Sequence, residues 1–476
     1  MEIKRLNYHI MNALMVAGLV LGGAHYAYAD STEDVVNALT AKGVLTEEEG
    51  ALILKGHKSQ KNASLTPKFK DGFTLESADG ANSLSIGGRL HTDYRNFNHN
   101  FDNTSTTVPT NSANESSTFD VRRARIELKG KFREKFDFLL STDLTGTSAG
   151  NTNSVLDQAY INYAYDKPFQ VRIGQFKMPM NLEKVTSSNN TDFMERSAVN
   201  QLSANEDRGI MFHGVVPGYT YAFAISNGEG AKNRNDADPR VDSVEYVGRG
   251  TVNFAEILGD KNAVYHVGLS GSWTELSKGT SNGYLSGTSK MRTEARGVEY
   301  FALPTISSVA GVDNTIERSR WGVEGAAAYG PYKVQGEYLV NNFKGDRTAT
   351  EKFDNDIKAW YVEALWLVTG ETYADSYKEG AWGSIKPKNN FDLGKGPGAV
   401  EVGVRYSKFD ASDWSNFTLS NSTTEASTWT YGAKWILNPN TRLMLNYVDT
   451  KFDTPITVGS SVDNEKAIMA RAQFNF

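Results

Sequence analysis

Cysteine is absent from this sequence, so neither disulfides nor thiolate metal sites hold the fold together. Beyond residue 30 there is no long apolar run, which excludes a bundle of membrane helices. Histidine is scarce, 7 in 476 residues; His91, His99, His213 and His266 show no His-x-x-x-His spacing and no motif with a nearby nucleophile. Phosphate-binding glycine loops and nucleic-acid modules are missing as well. No enzyme, cofactor, metal or nucleic-acid partner is therefore expected, the competing enzymatic reading being a barrel lipase. Bulk charge is small, formally -6, so attraction for an anion would have to come from local placement.

The N-terminus carries Lys4 and Arg5, an apolar run from about Ile10 to Gly23, and Ala27-Tyr28-Ala29. This pattern predicts a signal peptide over 1–29, cut before Asp30, with a membrane anchor as the alternative. Residues 30–75 read as two short helices with acidic first turns, broken at Gly43, followed by a Lys/Ser/Asn-rich linker. A helical hairpin or oligomerising coil competes there with a flexible leader. The expected placement is periplasmic.

From residue 76 to the end, apolar and polar positions alternate almost without interruption. Val267 and Leu269, flanked by Tyr265 and Trp273, oppose His266, Ser270 and Ser272; Trp321, Val323, Ala327 and Tyr329 oppose Arg318, Arg320 and Glu324. A period of two is the signature of strands. Roughly sixteen segments of about ten residues, tight turns such as YGPYK and long polar loops predict an all-β transmembrane barrel. A soluble sandwich also alternates, but rarely over so many long strands in one array.

The stretch FDVRRARIELKGKF, residues 119–132, shows what the polar face requires. From Ala124 onward the even positions are apolar or Gly, and the odd ones are Arg125, Glu127, Lys129 and Lys131. Before the arginine pair the register reverses, so a β-bulge at Arg122 and Arg123 is predicted, turning both to one side. A lipid-facing arginine costs about 2–4 kcal/mol at the bilayer midplane, so the ionic face must line a water-filled lumen. Parity puts Arg89, Arg95, Arg122, Arg123, Arg125, Arg172, Arg249, Arg318, Arg320, Arg405, Arg442 and Arg471 there. Guanidinium groups suit oxyanions, and a row of them can pass an anion from site to site. Alternatively they pair with Glu127, Glu324, Glu337 and Glu401 and merely stiffen the wall.

One connection, residues 176–209 with its centre at about 177–208, carries Met178, Met180, Leu182, Val185, Phe193 and Met194. These need burial, so the loop is predicted to fold into the barrel as a constriction presenting Lys177, Lys184 and Arg196. TDFMERSAV within it looks helical. An outer cap is the alternative.

The runs FDVRRARIELKG, DQAYINYAY, IGQFKMPMNLEKVTSSNNTDFMER and WLVTGETYADSYKEGAWGSIKPKNNF, followed by GAVEVGVRYS, resemble the phosphate-selective porin family of O and P type. The match runs from SIGGRLHTDY to the final ARAQFNF. It implies a homotrimer of sixteen-stranded barrels in the outer membrane of a Gram-negative bacterium, in contact with its lipid and passing phosphate, polyphosphate or other small anions. It also implies a central anion site of Arg122, Arg123, Asp157, Lys184 and Arg196, with a later-loop lysine, Lys378 or else Lys386. Asp157 would either accept a phosphate hydroxyl or pair with Arg123 or Lys184. The chain departs from the family where a second constriction lysine is replaced by Ser188 and Asn189. Arg125 and Lys177 stand where other members carry an aromatic or acidic side chain.

Overall fold

A computed structural model describes residues 32–62, 65–69, 72–98, 117–145, 155–228, 244–277, 290–304, 306, 315–419, 421–458 and 460–476. The signal peptide expected over 1–29 lies outside these residues. The chain forms two compact units. The smaller holds helices α1 (Thr32–Ala41) and α2 (Glu47–Asn62). Helix α2 begins with a reciprocal cap: the Thr46 hydroxyl accepts from the Glu49 N–H at 3.2 Å while the Glu49 carboxylate accepts from the Thr46 N–H at 2.9 Å, satisfying two otherwise orphan donors. Among the described residues no helix is long and apolar enough to cross a membrane.

The larger unit is a closed ring of sixteen antiparallel strands. They are β1 (Ser83–Phe97), β2 (Thr118–Phe132), β3 (Phe136–Asp143), β4 (Val155–Ala164), β5 (Gln170–Lys177), β6 (Glu206–Val216), β7 (Tyr219–Ser226) and β8 (Glu245–Asn253). There follow β9 (Ala263–Ser277), β10 (Thr315–Tyr329), β11 (Tyr332–Asp346), β12 (Lys352–Leu367), β13 (Ala399–Asp410), β14 (Glu425–Asn438), β15 (Thr441–Val458) and β16 (Ser460–Asn475). Each pairs with the next, and β16 pairs back onto β1 with Arg471 opposite Asp93. Closure removes every free edge, the condition for spanning lipid with strands.

Strand lengths differ from a uniform ten. Strands β3, β5 and β7 have 8 residues each, whereas β15 has 18. One rim carries mostly short turns, including that at Gly330, where φ is +53°. The other rim carries the long connections. An exception to this asymmetry is the segment 368–398, a long connection on the short-turn rim.

Sidedness follows the alternation. Val267 and Leu269 are exposed on the outer wall while His266, Ser270 and Ser272 are buried within. The predicted bulge is present: His91 pairs with Arg123 and Thr92 with Val121, leaving Arg122 as the extra residue. Both arginines consequently project into the bore.

The bore is partly filled. The connection 178–205 folds inward, burying Met178, Met180, Leu182, Phe193 and Met194 almost completely; each apolar side chain of this size contributes about 1.5–3 kcal/mol on burial. The helical reading of TDFMERSAV is corrected: only Ala198–Leu202 is helical there, with a separate single turn at Leu182–Val185. Bends replace helix earlier in the stretch, where Phe193 and Met194 pack in different directions. Phe193 lies against Arg405, whose guanidinium carbon is 4.8 Å from its ring centre, while Met194 packs with Phe97, Ala295 and Met444. A regular turn of helix holds adjacent side chains about 100° apart. From the same long-loop rim, 290–304 inserts Met291, Tyr300 and Phe301 beside the first loop. From the opposite rim, 368–398 inserts Tyr373, Trp382 and Ile385 against Leu182.

Candidate functional site

Three inserted segments thus meet the wall at mid-bore. Wall and loop are joined by charge-assisted bonds. Arg405 of β13 reaches Glu183 at 3.2 Å and Glu294 at 2.5 Å; Lys333 of β11 reaches Asp192 at 2.7 Å. Arg471 of β16 grips Asp93 in bidentate fashion at 2.6 and 2.8 Å and donates to the Met194 carbonyl at 2.6 Å. Arg442 of β15 donates to the Asn189 carbonyl at 2.5 Å.

Most wall arginines face carboxylates. Arg89 pairs with Glu127, Arg249 with Glu324, and Arg318 and Arg320 with Glu245. Arg125 is held by Asp143 at 2.8 Å and by Asp157 at 2.5 Å. Asp157 therefore sits with Arg125, two residues along β2 from Arg123, rather than with either expected partner, Arg123 or Lys184. Lys184 reaches Glu206 at 3.3 Å and Asn205 at 3.0 Å. Burial pulls this lysine's pKa down, partly offset by Glu206.

A smaller set of cations has no carboxylate partner among the described residues. Arg123 is buried, and its Nε has no hydrogen-bond partner. Arg196 donates only to the carbonyls of Glu183 and Thr186, at 2.8 and 2.7 Å. Lys177 likewise reaches the carbonyls of Lys184 and Thr186, both at 3.3 Å. Arg172 lies over the Tyr160 ring at 4.2 Å.

Arg122, Arg123 and Arg196 line one cavity of about 120 Å³ together with Ser188, Thr191, Glu195, Arg292 and Arg296. Arg296 belongs to the second inserted loop and has φ of +62°, a conformation that costs a side chain of this kind of order 1–3 kcal/mol. Repulsion from Arg122, together with burial, brings its guanidinium down to about 10. Glu195 is the pocket's central carboxylate: burial opposes its ionisation, but Arg122, Arg95 and Arg471 hold it well below the usual carboxylate range.

Lys378 lies apart from this cavity. Its side chain is 81% exposed and stands 3.6 Å from Glu379, on the inserted segment of the opposite rim, where Lys386 is also exposed. Sequence reasoning missed Glu195, Arg292 and Arg296. The last two sit in a loop without periodicity, and the available signal was its paired cations, KMRTEAR.

A family model described as phosphate-selective porin O and P matches residues 84–476. Porin O of Pseudomonas aeruginosa is 27% identical over 441 residues, covering 88% of this chain and 94% of the relative. An uncharacterized protein of Aquifex aeolicus is 22% identical over 380 residues, covering 75% and 82%. Among solved structures, the anion-selective porin from Comamonas acidovorans matches the fold with a TM-score of 0.50 and 14% identity, over 83% of this chain and all of that one.

Proposed function

The chain belongs to the phosphate-selective porin O and P family, and from that premise we propose that its channel prefers anions and admits phosphate or a related oxyanion by passive diffusion. That it is an outer-membrane porin rests on the family and on the closed barrel. The preference for anions is supported by one observation above others: Arg123, Arg196 and Arg296 line a single cavity without an ion-pair partner of their own among the described residues. An uncompensated cation in a partly desolvated constriction attracts anions far more strongly than in bulk water. Ser188 and Thr191 add hydroxyl groups to the same cavity. A row of such groups binds an anion enough to admit it and weakly enough to release it.

In this reading Arg122, Arg123 and Arg196 form the constriction site. Lys177 and Lys184 stand beside the path, Asp157 restrains Arg125, and the exposed Lys378 draws anions toward the short-turn mouth, which faces the periplasm. Residues 1–29 are a cleaved signal, and 30–75 a periplasmic extension. The barrel assembles as a homotrimer through the wall of short strands β3 to β7, whose outer face presents Leu140, Ile161, Ile173 and Phe223.

The test is the double variant Arg122→Ala with Arg123→Ala in a planar bilayer. Chloride conductance should fall and its inhibition by phosphate disappear; unchanged current refutes the proposal. A second reading, a general diffusion porin, is favoured by the many wall arginines already neutralised by Glu127, Glu245 and Glu324. A reversal potential in a KCl gradient separates the two, because weak cation preference selects the general porin.

A further inference from the structure

Glu195 occupies the arginine cluster in the way an oxyanion would. Its Oε1 accepts from Arg122 Nε at 2.8 Å, Arg95 Nη2 at 2.9 Å and Arg471 Nη2 at 3.0 Å, and its Oε2 accepts from Arg122 Nη2 at 3.2 Å. The Nε–Nη2 edge of Arg122 is the fork that recognises carboxylate and phosphate in bidentate fashion. Here it is already filled, by a side chain of the protein.

The three arginines do not depend equally on that carboxylate. Arg471 and Arg95 also hold Asp93, at 2.6 to 2.8 Å. Among the described residues the Arg122 guanidinium hydrogen-bonds to Glu195 alone. Withdrawing Glu195 would therefore uncover one bidentate edge, beside the unpaired Arg123, while Arg95 and Arg471 kept a counter-charge. The same cavity is lined by Arg296, a cation with no ion pair among the described residues.

We infer that Glu195 is a tethered counter-anion: a permeating oxyanion must displace it from Arg122 to be bound, so this carboxylate sets how tightly and how selectively the constriction holds its cargo. The inference rests on the anion-channel reading above. A resident carboxylate keeps the empty site from being a deep trap. An anion able to use the same fork evicts it, whereas chloride, which cannot bind a planar edge in two places, is left less favoured. Retention is thereby limited by exchange, which suits a conduit that must release what it binds.

The backbone around Glu195 is fixed by other groups. Arg405 donates to the Glu195 carbonyl at 3.1 Å and Arg471 to the Met194 carbonyl at 2.6 Å, while Phe193 and Met194 are buried. Neutralising the side chain should leave the loop in place.

The experiment compares the full chain with Glu195→Gln and Glu195→Asp in planar bilayers, using KCl current with inorganic phosphate or sulfate added. Glu195→Gln should lower the half-blocking phosphate concentration by about tenfold or more, since one opposing charge is removed a few ångströms from the bound anion. The gain should be larger for sulfate than for chloride, an order in charge that a purely structural role would not produce. Glu195→Asp, too short to hold three guanidinium groups at once, should fall between, and it carries the test if the glutamine variant does not fold. Block that is unchanged or weakened in an anion-preferring wild type overturns this inference alone. A wild type that prefers cations and is not blocked by phosphate overturns the anion-channel reading and the inference with it.

Discussion

Arg405 of the wall and Glu294 of an inserted loop meet at 2.5 Å, with side chains only 2% and 4% exposed. The same guanidinium holds Glu183 of the other inserted loop at 3.2 Å, so one residue ties both constriction loops to β13. Arg405→Ala should cost about 3–5 kcal/mol, because it leaves two buried carboxylates without a cation, Glu183 keeping only the donors of Ser197 and Glu294 only those of Ala198 and Thr430 among the described residues. Thermal unfolding in detergent should show the loss, and proteolysis of 178–205 should quicken.

The lipid face should reject what the lumen accepts. Val267→Arg places a guanidinium on the outer wall and should destabilise the barrel by about 2–4 kcal/mol if near the midplane. Refolding into lipid vesicles measures it. An equal tolerance for arginine on both faces would refute the assigned sidedness.

Conductance should respond to alkaline pH through Arg296. Its pKa is lowered to about 10; a depressed cation loses charge as pH rises through that value. Anion preference should therefore decline between about pH 9 and 11, and Arg296→Ala should make that decline shallower, the remainder coming from lysines such as Lys184. For Glu195 the sign is opposite. Its carboxyl is lowered, so its contribution to stability is present above the unfolded value of about 4.3 and is lost as pH falls toward the lower folded one.

Gly297 admits no side chain at present, since a Cβ there would stand 2.1 Å from a Glu465 carboxylate oxygen. That carboxylate also accepts from the Val298 N–H at 2.8 Å, so it cannot simply swing away. Gly297→Ala should push the second loop outward at a cost of about 1–3 kcal/mol. Single-channel conductance should rise, and a silent substitution would show that this loop does not narrow the pore.

The wall was legible in the sequence because two solvents write on it: lipid selects Val267 and Leu269, water selects Ser270 and Ser272, and a period of two separates them. Even the bulge at Arg122 showed as a break in parity. Pairings across the bore were not legible. Asp157 was expected near Arg123 or Lys184 and lies on Arg125, a choice made by strand register rather than by residue type. Segment 368–398 carries Tyr373, Tyr377 and Trp382, an aromatic density that marks burial, yet no periodicity says which way such a segment folds.

The first inserted loop springs from β5 and β6 and is fastened to the far arc of the ring, at Lys333, Arg405, Arg442 and Arg471 of β11 to β16, so it works as a strut across a hoop. Its fastenings are buried, where dissolved ions screen poorly, whereas cations open to the lumen feel a screening length of about 10 Å at 0.1 M salt. Brine outside the cell can therefore weaken the pull on a passing ion without loosening the frame that sets the width of its passage.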